Sequence, residues 1–500
     1  MSLIQTASRF YFSFYMKEIE HFIGQPAKTQ EQVFGYLLKN GSKTLYGQEH
    51  NFNQIKSRDD FRKRVPLITY DELKPYIEKI IVSKAKNVLW NKPVKWFAMS
   101  SGTTNDRSKY IPVTSESLND SHYKCGKQML GLYLNAYPDS RFLLGKTMVL
   151  GGSQQVNNIG DGIFTGDVSA ILMSHLPFWA NSRRTPQSIA LIPDWEQKLD
   201  KLVDYALKTD VRAMTGVPSW MMVLLQKMVE KTGKPIKEIW TNIDVFFHGG
   251  ISFTPYQEQY HEIFKGTDIH YWETYNASEG FFGLQYDKAS KELLLMLDNN
   301  IYYEFLPLDQ LDKENPQTLL LEEISTNIDY ALIISTNGGL WRYMIGDTVR
   351  FSSTSPHLFR ITGRTKHYIN AFGEELMVDN ADNALKIAAE KTKSRISDYT
   401  AAPVFFENMR GAHEWLIEFE EPPADINAFS DILDEELKKL NSDYAAKRSY
   451  DLSLKKPIVR AVPKGTFLQW LKSRNKLGGQ NKIPRLSNTR DYIEGIHSIL

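Results

Sequence analysis

Cysteine is almost missing: Cys125 is the single one in 500 residues. One thiol closes no intramolecular disulfide and builds no cysteine-ligated zinc site, and its scarcity fits a reducing compartment. Its setting, HYKCGKQMLGLYL, suggests a helix-packing thiol rather than a nucleophile. An excess of either charge is missing too, with Lys+Arg 60 against Asp+Glu 59. That balance removes the electrostatic footprint of nucleic-acid or membrane-surface binding, so neither partner is expected, and oligomeric state is left open. No run approaches the ~20 apolar residues of a membrane span. The N-terminus, MSLIQTASRFYFSFYMKEIEHFI, lacks a basic head and a small-residue cleavage site and carries Glu18 and Glu20 early. Repeats and low-complexity tracts are absent as well. The expectation is a soluble cytoplasmic protein.

What is present is apolar residue enough, 42%, for a large interior. At this length two domains are the natural prior. Residues 1 to about 95 read as helical, with Val33, Leu37 and Leu38 on one face of QEQVFGYLLKNG. SESLNDSHYKCGKQMLGLYLNAY and DWEQKLDKLVDYALKTDV follow as helices, and TMVLGG and VRAMTGVP as buried strands. That alternation predicts a mixed α/β layer. From about 292 to 360 short β-type runs take over, predicting a small antiparallel sheet or barrel. Beyond GRTKHYIN the strands VFFENM, EWLIEFE and PIVRAV and the helices FSDILDEELKKLN and FLQWLK predict a compact α+β domain. The expected class is therefore α/β. A large N-terminal domain, 1–363, carries a β-barrel-like subdomain, and a small α+β domain spans 364–500.

Four stretches carry candidate chemistry, each with an ordinary alternative. In MSSGTTNDRSKY, Ser100, Ser101, Gly102, Thr103 and Thr104 supply hydroxyls and backbone amides that suit phosphate oxygens, with Lys109 as a mobile cation; the same residues also make an exposed turn. The order is not that of a P-loop, which needs Gly, four residues, then Gly-Lys-Ser/Thr. In HYWETYNASEGFFGLQY, Glu279 stands where a carboxylate could hold Mg²⁺ on a triphosphate, or where a strand simply turns. Asp347 in WRYMIGDTVRF suits a pair of ribose hydroxyls, or a hairpin turn. Gly363, Arg364 and Lys366 in ITGRTKHYIN sit where the β texture ends, as a hinge or an interdomain turn.

The order of these pieces is more telling than any one of them. A hydroxyl-rich loop, Tyr-x-x-Ser-Glu, Gly-Asp and Gly-Arg-x-Lys in succession resemble the adenylate-forming superfamily. FRKRVPLITYDELKPYIEKI before the loop and VPKGTFLQWLKSRNKLGGQNKIPRLSNTR near the end narrow the resemblance to the auxin-responsive Gretchen Hagen acyl-acid amido synthetases, over nearly the whole chain. Generic acyl-CoA synthetases usually carry a second glycine and Pro-Lys after the hydroxyl loop and a Gly-Lys close to the C-terminus. Here Asn105-Asp106 and Gln480-Asn481-Lys482-Ile483-Pro484-Arg485 stand instead. Two departures from the family pattern are Asn276, where a small residue is usual, and Asn481, where an aromatic is common.

The resemblance implies an ATP-dependent ligase that adenylates a small carboxylic acid and passes the acyl group to an amino acid, with ATP and Mg²⁺ required. It implies that Ser100, Ser101, Gly102, Thr103 and Thr104 hold the β- and γ-phosphates, with Lys109 as a further contact. Tyr275 and Ser278 belong to the adenine motif, Glu279 to the magnesium, Asp347 and Arg364 to the ribose. Lys482 is the catalytic lysine and Lys366 the hinge of a mobile C-terminal domain. Gly249 and Gly250, after His248, let adenine lie against backbone, although His248 itself reads as a packed or capping histidine. Val217, Trp220 and Met221 in GVPSWMMVLLQKM form an acyl-pocket wall or a buried helix. Two other functions use much of the same set: acyl transfer to coenzyme A or a carrier thiol, and a non-catalytic nucleotide-binding regulator.

Overall fold

A computed structural model of the chain describes residues 3–500 except 101–108, 151–155, 161, 177, 193, 251–252, 254–255, 312, 366–367, 370, 372–373, 375, 407–410, 442–443, 446–447, 449–453, 475–481 and 488. For residues 3, 4, 100, 178, 179, 195, 196, 219 and 368 only the backbone is described.

The N-terminal region is helical, as its periodicity predicts. Helix Pro26–Gly41 has proline at its start, where a missing N–H costs nothing. It buries Val33, Phe34 and Leu37, with Leu38 half-buried at the edge of that face. Strands β1 (Trp96–Ser100) and β2 (Lys109–Val113) then pair antiparallel, bracketing the hydroxyl-rich segment. Strand β3 (Lys146–Leu150) starts a much larger sheet, while β4 (Asn157–Asn158) and β5 (Phe164–Gly166) complete a four-stranded sheet ordered β2-β1-β5-β4.

The large sheet has a parallel half and an antiparallel half. β6 (Val211–Gly216), β7 (Val245–Gly249) and β8 (His270–Ala277) run parallel to β3, connected through helices Trp195–Ala206, Pro218–Thr232 and Gln257–Ile263. Asp194 caps the first of these, its carboxylate accepting from the Gln197 amide at 2.7 Å. β9 (Gly280–Gln285), β10 (Leu293–Leu295), β11 (Ile301–Pro307), β12 (Asp329–Thr336), β13 (Tyr343–Thr354) and β14 (His357–Arg364) are antiparallel to their neighbours. The order is β11-β12-β13-β14-β10-β9-β8-β7-β6-β3.

The β-rich strands are antiparallel, as expected of a small sheet or barrel, but they do not form a sheet of their own. Leu293–Leu295 pairs with β9 on one side and β14 on the other, splicing the antiparallel strands onto the parallel ones. The result is one open ten-stranded sheet with β11 at its edge.

One buried ion pair ties this sheet to the segment before the hydroxyl loop. Arg342 is 4% exposed, and its guanidinium donates to Glu304 at 2.9 Å and to the carbonyls of Arg62 and Val65 at 2.8 and 2.6 Å. The FRKRVP stretch is thus held against β11 and β13. Cys125 sits fully buried in helix Lys124–Ala136, beside the Asn299 amide, and burial pushes its thiol pKa well up. It packs, as expected.

The C-terminal domain is a second unit. β15 (Tyr368–Ile369) pairs with β16 (Leu376–Met377), and β17 (Arg395–Phe405), β18 (Gly411–Glu421) and β19 (Ile458–Val462) form a three-stranded sheet. Side chains alternate along β18: Trp415 and Ile417 meet helices Val378–Thr392 and Ile426–Leu440 on one face. Leu416 meets helices Thr466–Ser473 and Asp491–His497 on the other. None of the described helices is long and apolar enough to cross a membrane.

Candidate functional site

The C-terminal ends of parallel strands leave a crevice where the chain turns from strand to helix, and ligands bind there in open α/β sheets. Here that edge carries Val217 just after β6, and Gly249 and Gly250 at the end of β7. A Cβ on Gly249 would lie 2.3 Å from the Thr274 carbonyl oxygen, so only glycine lets β7 and β8 come this close. Gly250 has φ +82°, which L side chains rarely adopt. His248 is 3% exposed, stacks on Phe253 at 4.3 Å, and is kept neutral by burial, which lowers its pKa to about 3. It is a packed histidine.

Tyr275 lies on β8 and Asp347 on β13, with three strands between them in the sheet order. At about 4.8 Å per strand a flat sheet would hold them about 19 Å apart. Yet the Tyr275 hydroxyl donates to Asp347 Oδ2 at 2.5 Å, so the sheet curls over at this end. The curl is possible because β10 meets β14 only at Leu358 and Phe359, leaving the Arg364 end of β14 unpaired on that side. Across the β13–β14 pairing Arg364 stands opposite Asp347 and donates Nε to Oδ1 at 2.6 Å. Asp347 raises the guanidinium pKa, while burial and Asp347 together raise that of the Tyr275 phenol. Asp347, 4% exposed, is therefore oriented at both oxygens.

Ser278 and Glu279 form the turn between β8 and β9. Ser278 is 4% exposed, and its hydroxyl has no hydrogen-bond partner among the described residues. Burial raises the Glu279 carboxyl pKa, and Lys109 acts against that rise. Lys109 opens β2 and lies 5.7 Å from the centre of the Tyr70 ring. Among the described residues no group of three or more His, Cys, Asp or Glu could hold a metal by protein ligands alone. Mg²⁺ at this point would rest on Glu279 and substrate phosphates, the arrangement Mg²⁺ commonly uses. A carboxylate whose charge is penalised by burial suits that role.

Lys482 enters the same crevice from the C-terminal domain. Its Nζ lies 3.6 Å from where a Cβ on Gly250 would stand. Water reaches the side chain, but protein walls and the Arg364 cation lower its pKa to about 7, with Asp347 opposing and Arg485 adding to the fall. The loop that carries Lys482 runs along β17: Thr400 donates to the Pro484 carbonyl at 2.6 Å and the Ala401 amide to the Arg485 carbonyl at 2.9 Å.

The structure thus brings together Gly249, Gly250, Val217, Tyr275, Ser278, Glu279, Lys109, Asp347, Arg364 and Lys482. Ser101, Gly102, Thr103, Thr104 and the hinge candidate Lys366 lie outside the described residues, and of Ser100 only the backbone at the end of β1 is described. Of the acyl-wall candidates, two take the buried-helix alternative in this arrangement. Met221 is fully buried and Trp220 is 7% exposed, both inside the core beneath β6 and β7. They sit on the first turn of helix Pro218–Thr232, which points them into that core. Only Val217 faces Gly250, 3.4 Å from its Cβ position.

Three residues were given no role by the sequence reading. Tyr343, within WRYMIGD, is fully buried with a hydroxyl unpartnered among the described residues, and Glu279 adds to the burial that raises its phenol pKa. Arg485 closes the Lys482 motif, and Tyr256 receives it from the other domain. A tyrosine four positions before the motif aspartate was a visible signal; Tyr256 had none.

Comparison with known proteins gives the family and the fold. Three family profiles match in succession: the GH3 family N-terminal domain over residues 15–269, its central domain over 294–364 and its C-terminal domain over 379–491. Indole-3-acetic acid-amido synthetase GH3.4 of Arabidopsis thaliana is 24% identical, over 94% of this chain and 91% of its own length. Jasmonoyl-L-amino acid synthetase JAR4 of Nicotiana attenuata is 22% identical, over 77% of this chain and 76% of its own length. Among solved structures, the GH3.15 acyl acid amido synthetase superposes with TM-score 0.79 at 17% identity, covering 96% of this chain and 95% of that one. A 2-hydroxyisobutyryl-CoA ligase in the postadenylation state shares the fold at TM-score 0.61 and 12% identity, over 95% and 92%.

Proposed function

The chain belongs to the GH3 family, and from that premise we propose that it is an ATP-dependent acyl-acid amido synthetase: it adenylates a small carboxylic acid and transfers the acyl group to the amine of an amino acid. The observation that carries the reading is the meeting of Asp347, held by Tyr275 and Arg364, with Glu279 and with Lys482 from the other domain in one crevice. The division into 1–363 and 364–500 is proposed with it, as is a cytoplasmic location.

Bringing a carboxylate to the α-phosphate of ATP joins two anions, so the site must supply positive charge and in-line geometry more than covalent chemistry. Lys482 bridges the attacking carboxylate and the α-phosphate, and these anions favour its charged form. The Ser278 hydroxyl, buried and lacking a protein partner among the described residues, is available to the nucleotide. Asp347 accepts from the ribose hydroxyls at a lone pair left open by Tyr275 and Arg364. Gly249 and Gly250 let the adenine lie flat on backbone. Ser100, Ser101, Gly102, Thr103, Thr104 and Lys109 hold the β- and γ-phosphates. Mg²⁺ bound at Glu279 would offset charge on the departing pyrophosphate. The carboxylate oxygen bonds to phosphorus as the bond to pyrophosphate breaks; then the amine attacks the acyl carbon and AMP leaves. Rotation about Lys366 withdraws Lys482 before the second step. Val217 stands at the acyl side.

The test is acid-dependent exchange of labelled pyrophosphate into ATP over a panel of acids, followed by incubation with amino acids or with coenzyme A. Exchange with amide formation supports the reading. Thioester without amide makes the chain an acyl-CoA ligase, and no exchange with any acid makes it a non-catalytic nucleotide binder.

A further inference from the structure

Lys482 does its work in a domain other than the one it belongs to, so something must hold it across the border. Its loop is pinned at Arg485. The guanidinium pairs with Asp398 of β17, lies over the Tyr399 ring at 4.7 Å, and donates to the Tyr256 hydroxyl of the N-terminal domain at 3.5 Å. Tyr399 is itself fixed, donating to Asp382 at 2.7 Å. On the C-terminal side, then, Arg485 is held by one carboxylate and one ring, while its grip on the N-terminal side is a single longer bond. A second bond crosses nearby, from Gln259 Nε2 to the Ile396 carbonyl at 3.4 Å. Both crossing residues stand at the start of helix Gln257–Ile263, with Tyr256 only 5% exposed.

We propose that Arg485 is a positioning residue for Lys482 and that its contact with Tyr256 is the releasable half of a clamp: closed, it sets Lys482 in the crevice for adenylation, and its breakage frees the loop to leave with the C-terminal domain. Asymmetry is what the role needs. The Asp398 and Tyr399 contacts travel with the domain and keep the loop shaped in every arrangement, whereas the Tyr256 contact exists in only one. Arg485 also acts on Lys482 by charge. The charged groups facing Lys482 among the described residues are Arg364 and Asp347 from β14 and β13 and Arg485 from its own loop, and the two arginines both favour the neutral amine.

This inference rests on the synthetase reading for its kinetic consequences, but not for its structural one. Two half-reactions are compared in Tyr256→Phe: acid-dependent pyrophosphate exchange, and aminolysis of a chemically prepared acyl-adenylate. Loss of one weak crossing bond is expected to slow exchange about three- to tenfold and leave aminolysis unchanged. Backbone hydrogen exchange at residues 482–487 is measured on the same protein without nucleotide, and is expected to speed up. Equal losses in both half-reactions, or unchanged exchange at 482–487, would overturn the clamp. Arg485→Gln is expected to move the basic limb of the exchange rate to higher pH, and Arg485→Lys, which keeps the charge, to leave it in place; a limb that ignores the charge at 485 overturns the electrostatic part. If the wild-type protein exchanges no pyrophosphate with any acid, the synthetase reading fails, while hydrogen exchange still decides the clamp.

Discussion

The ionisation of Lys482 gives the most direct handle on the mechanism. Its pKa falls from the ordinary 10.5 to about 7, first through the protein walls that displace part of its water and then through Arg364 and Arg485, with Asp347 opposing. If the charged form bridges carboxylate and α-phosphate, the rate constant for adenylation at low ATP should be level up to about pH 7. Above that it should drop about tenfold per pH unit. Saturating ATP should push the limb upward, because bound phosphates favour the ammonium. Lys482→Ala should abolish the limb and lower the rate by about a hundredfold, or about 3 kcal/mol of lost charge stabilisation. The assay is pyrophosphate exchange between about pH 6 and 9, over the wild-type and Lys482→Ala proteins. A profile flat across that range, or one limb common to both proteins, would refute the assignment. Stability carries the opposite sign. The folded-state pKa lies below the unfolded one, so the folded chain binds fewer protons between about pH 7 and 10.5, and this group's contribution to stability rises with pH across that window.

Other expectations follow from single contacts. Tyr275→Phe removes the 2.5 Å bond to Asp347 but leaves Arg364 in place; it should weaken ATP binding about five- to thirtyfold, seen in KM for ATP, with fold and melting temperature little changed. Gly249→Ala would force a Cβ to within 2.3 Å of the Thr274 carbonyl, costing about 1–3 kcal/mol by overpacking and spreading β7 from β8, measurable as a lower melting temperature together with a raised KM for ATP. Arg342→Ala strands the 1% exposed Glu304 without its partner and should cost about 3–5 kcal/mol in denaturant unfolding, the largest loss of this set. Cys125 should resist alkylating reagents in the native protein and react once on unfolding, since its thiol is fully buried.

Much of the fold was legible because burial leaves a period in the sequence. Val33, Leu37 and their neighbours mark a helix face, and DWEQKLDKLVDYA carries both its cap and its stripe. Helix Val378–Thr392 and the first part of β17 were not anticipated: NADNALKIAAE is alanine-rich with few large apolar residues, and SRISDYTAAPV has no alternation sharp enough to read as a strand. That the β-rich region continues the large sheet was hidden for a related reason. Strand texture is local, whereas the splice through Leu293–Leu295 that joins the two halves is a long-range pairing.

The site divides in the same way. The residue types and order of the Tyr-x-x-Ser-Glu, Gly-Asp and lysine motifs were fixed in the chain and sufficed for the family and the reaction class. The helix reading of PSWMMVLLQKM was also present in the sequence, but which of its residues touch the crevice was not: the choice among Val217, Trp220 and Met221 depends on the rotation of one helix over a sheet. The tertiary structure alone decided that Tyr275 steadies Asp347 across a curled sheet, that the Lys482 ammonium is pressed toward neutrality by the surrounding protein walls and then by Arg364, and that Tyr256 receives Arg485. Those facts depend on groups 72, 118 and 229 positions apart meeting in one crevice. Distance along a chain says nothing about that, because meeting depends on the packing of everything between.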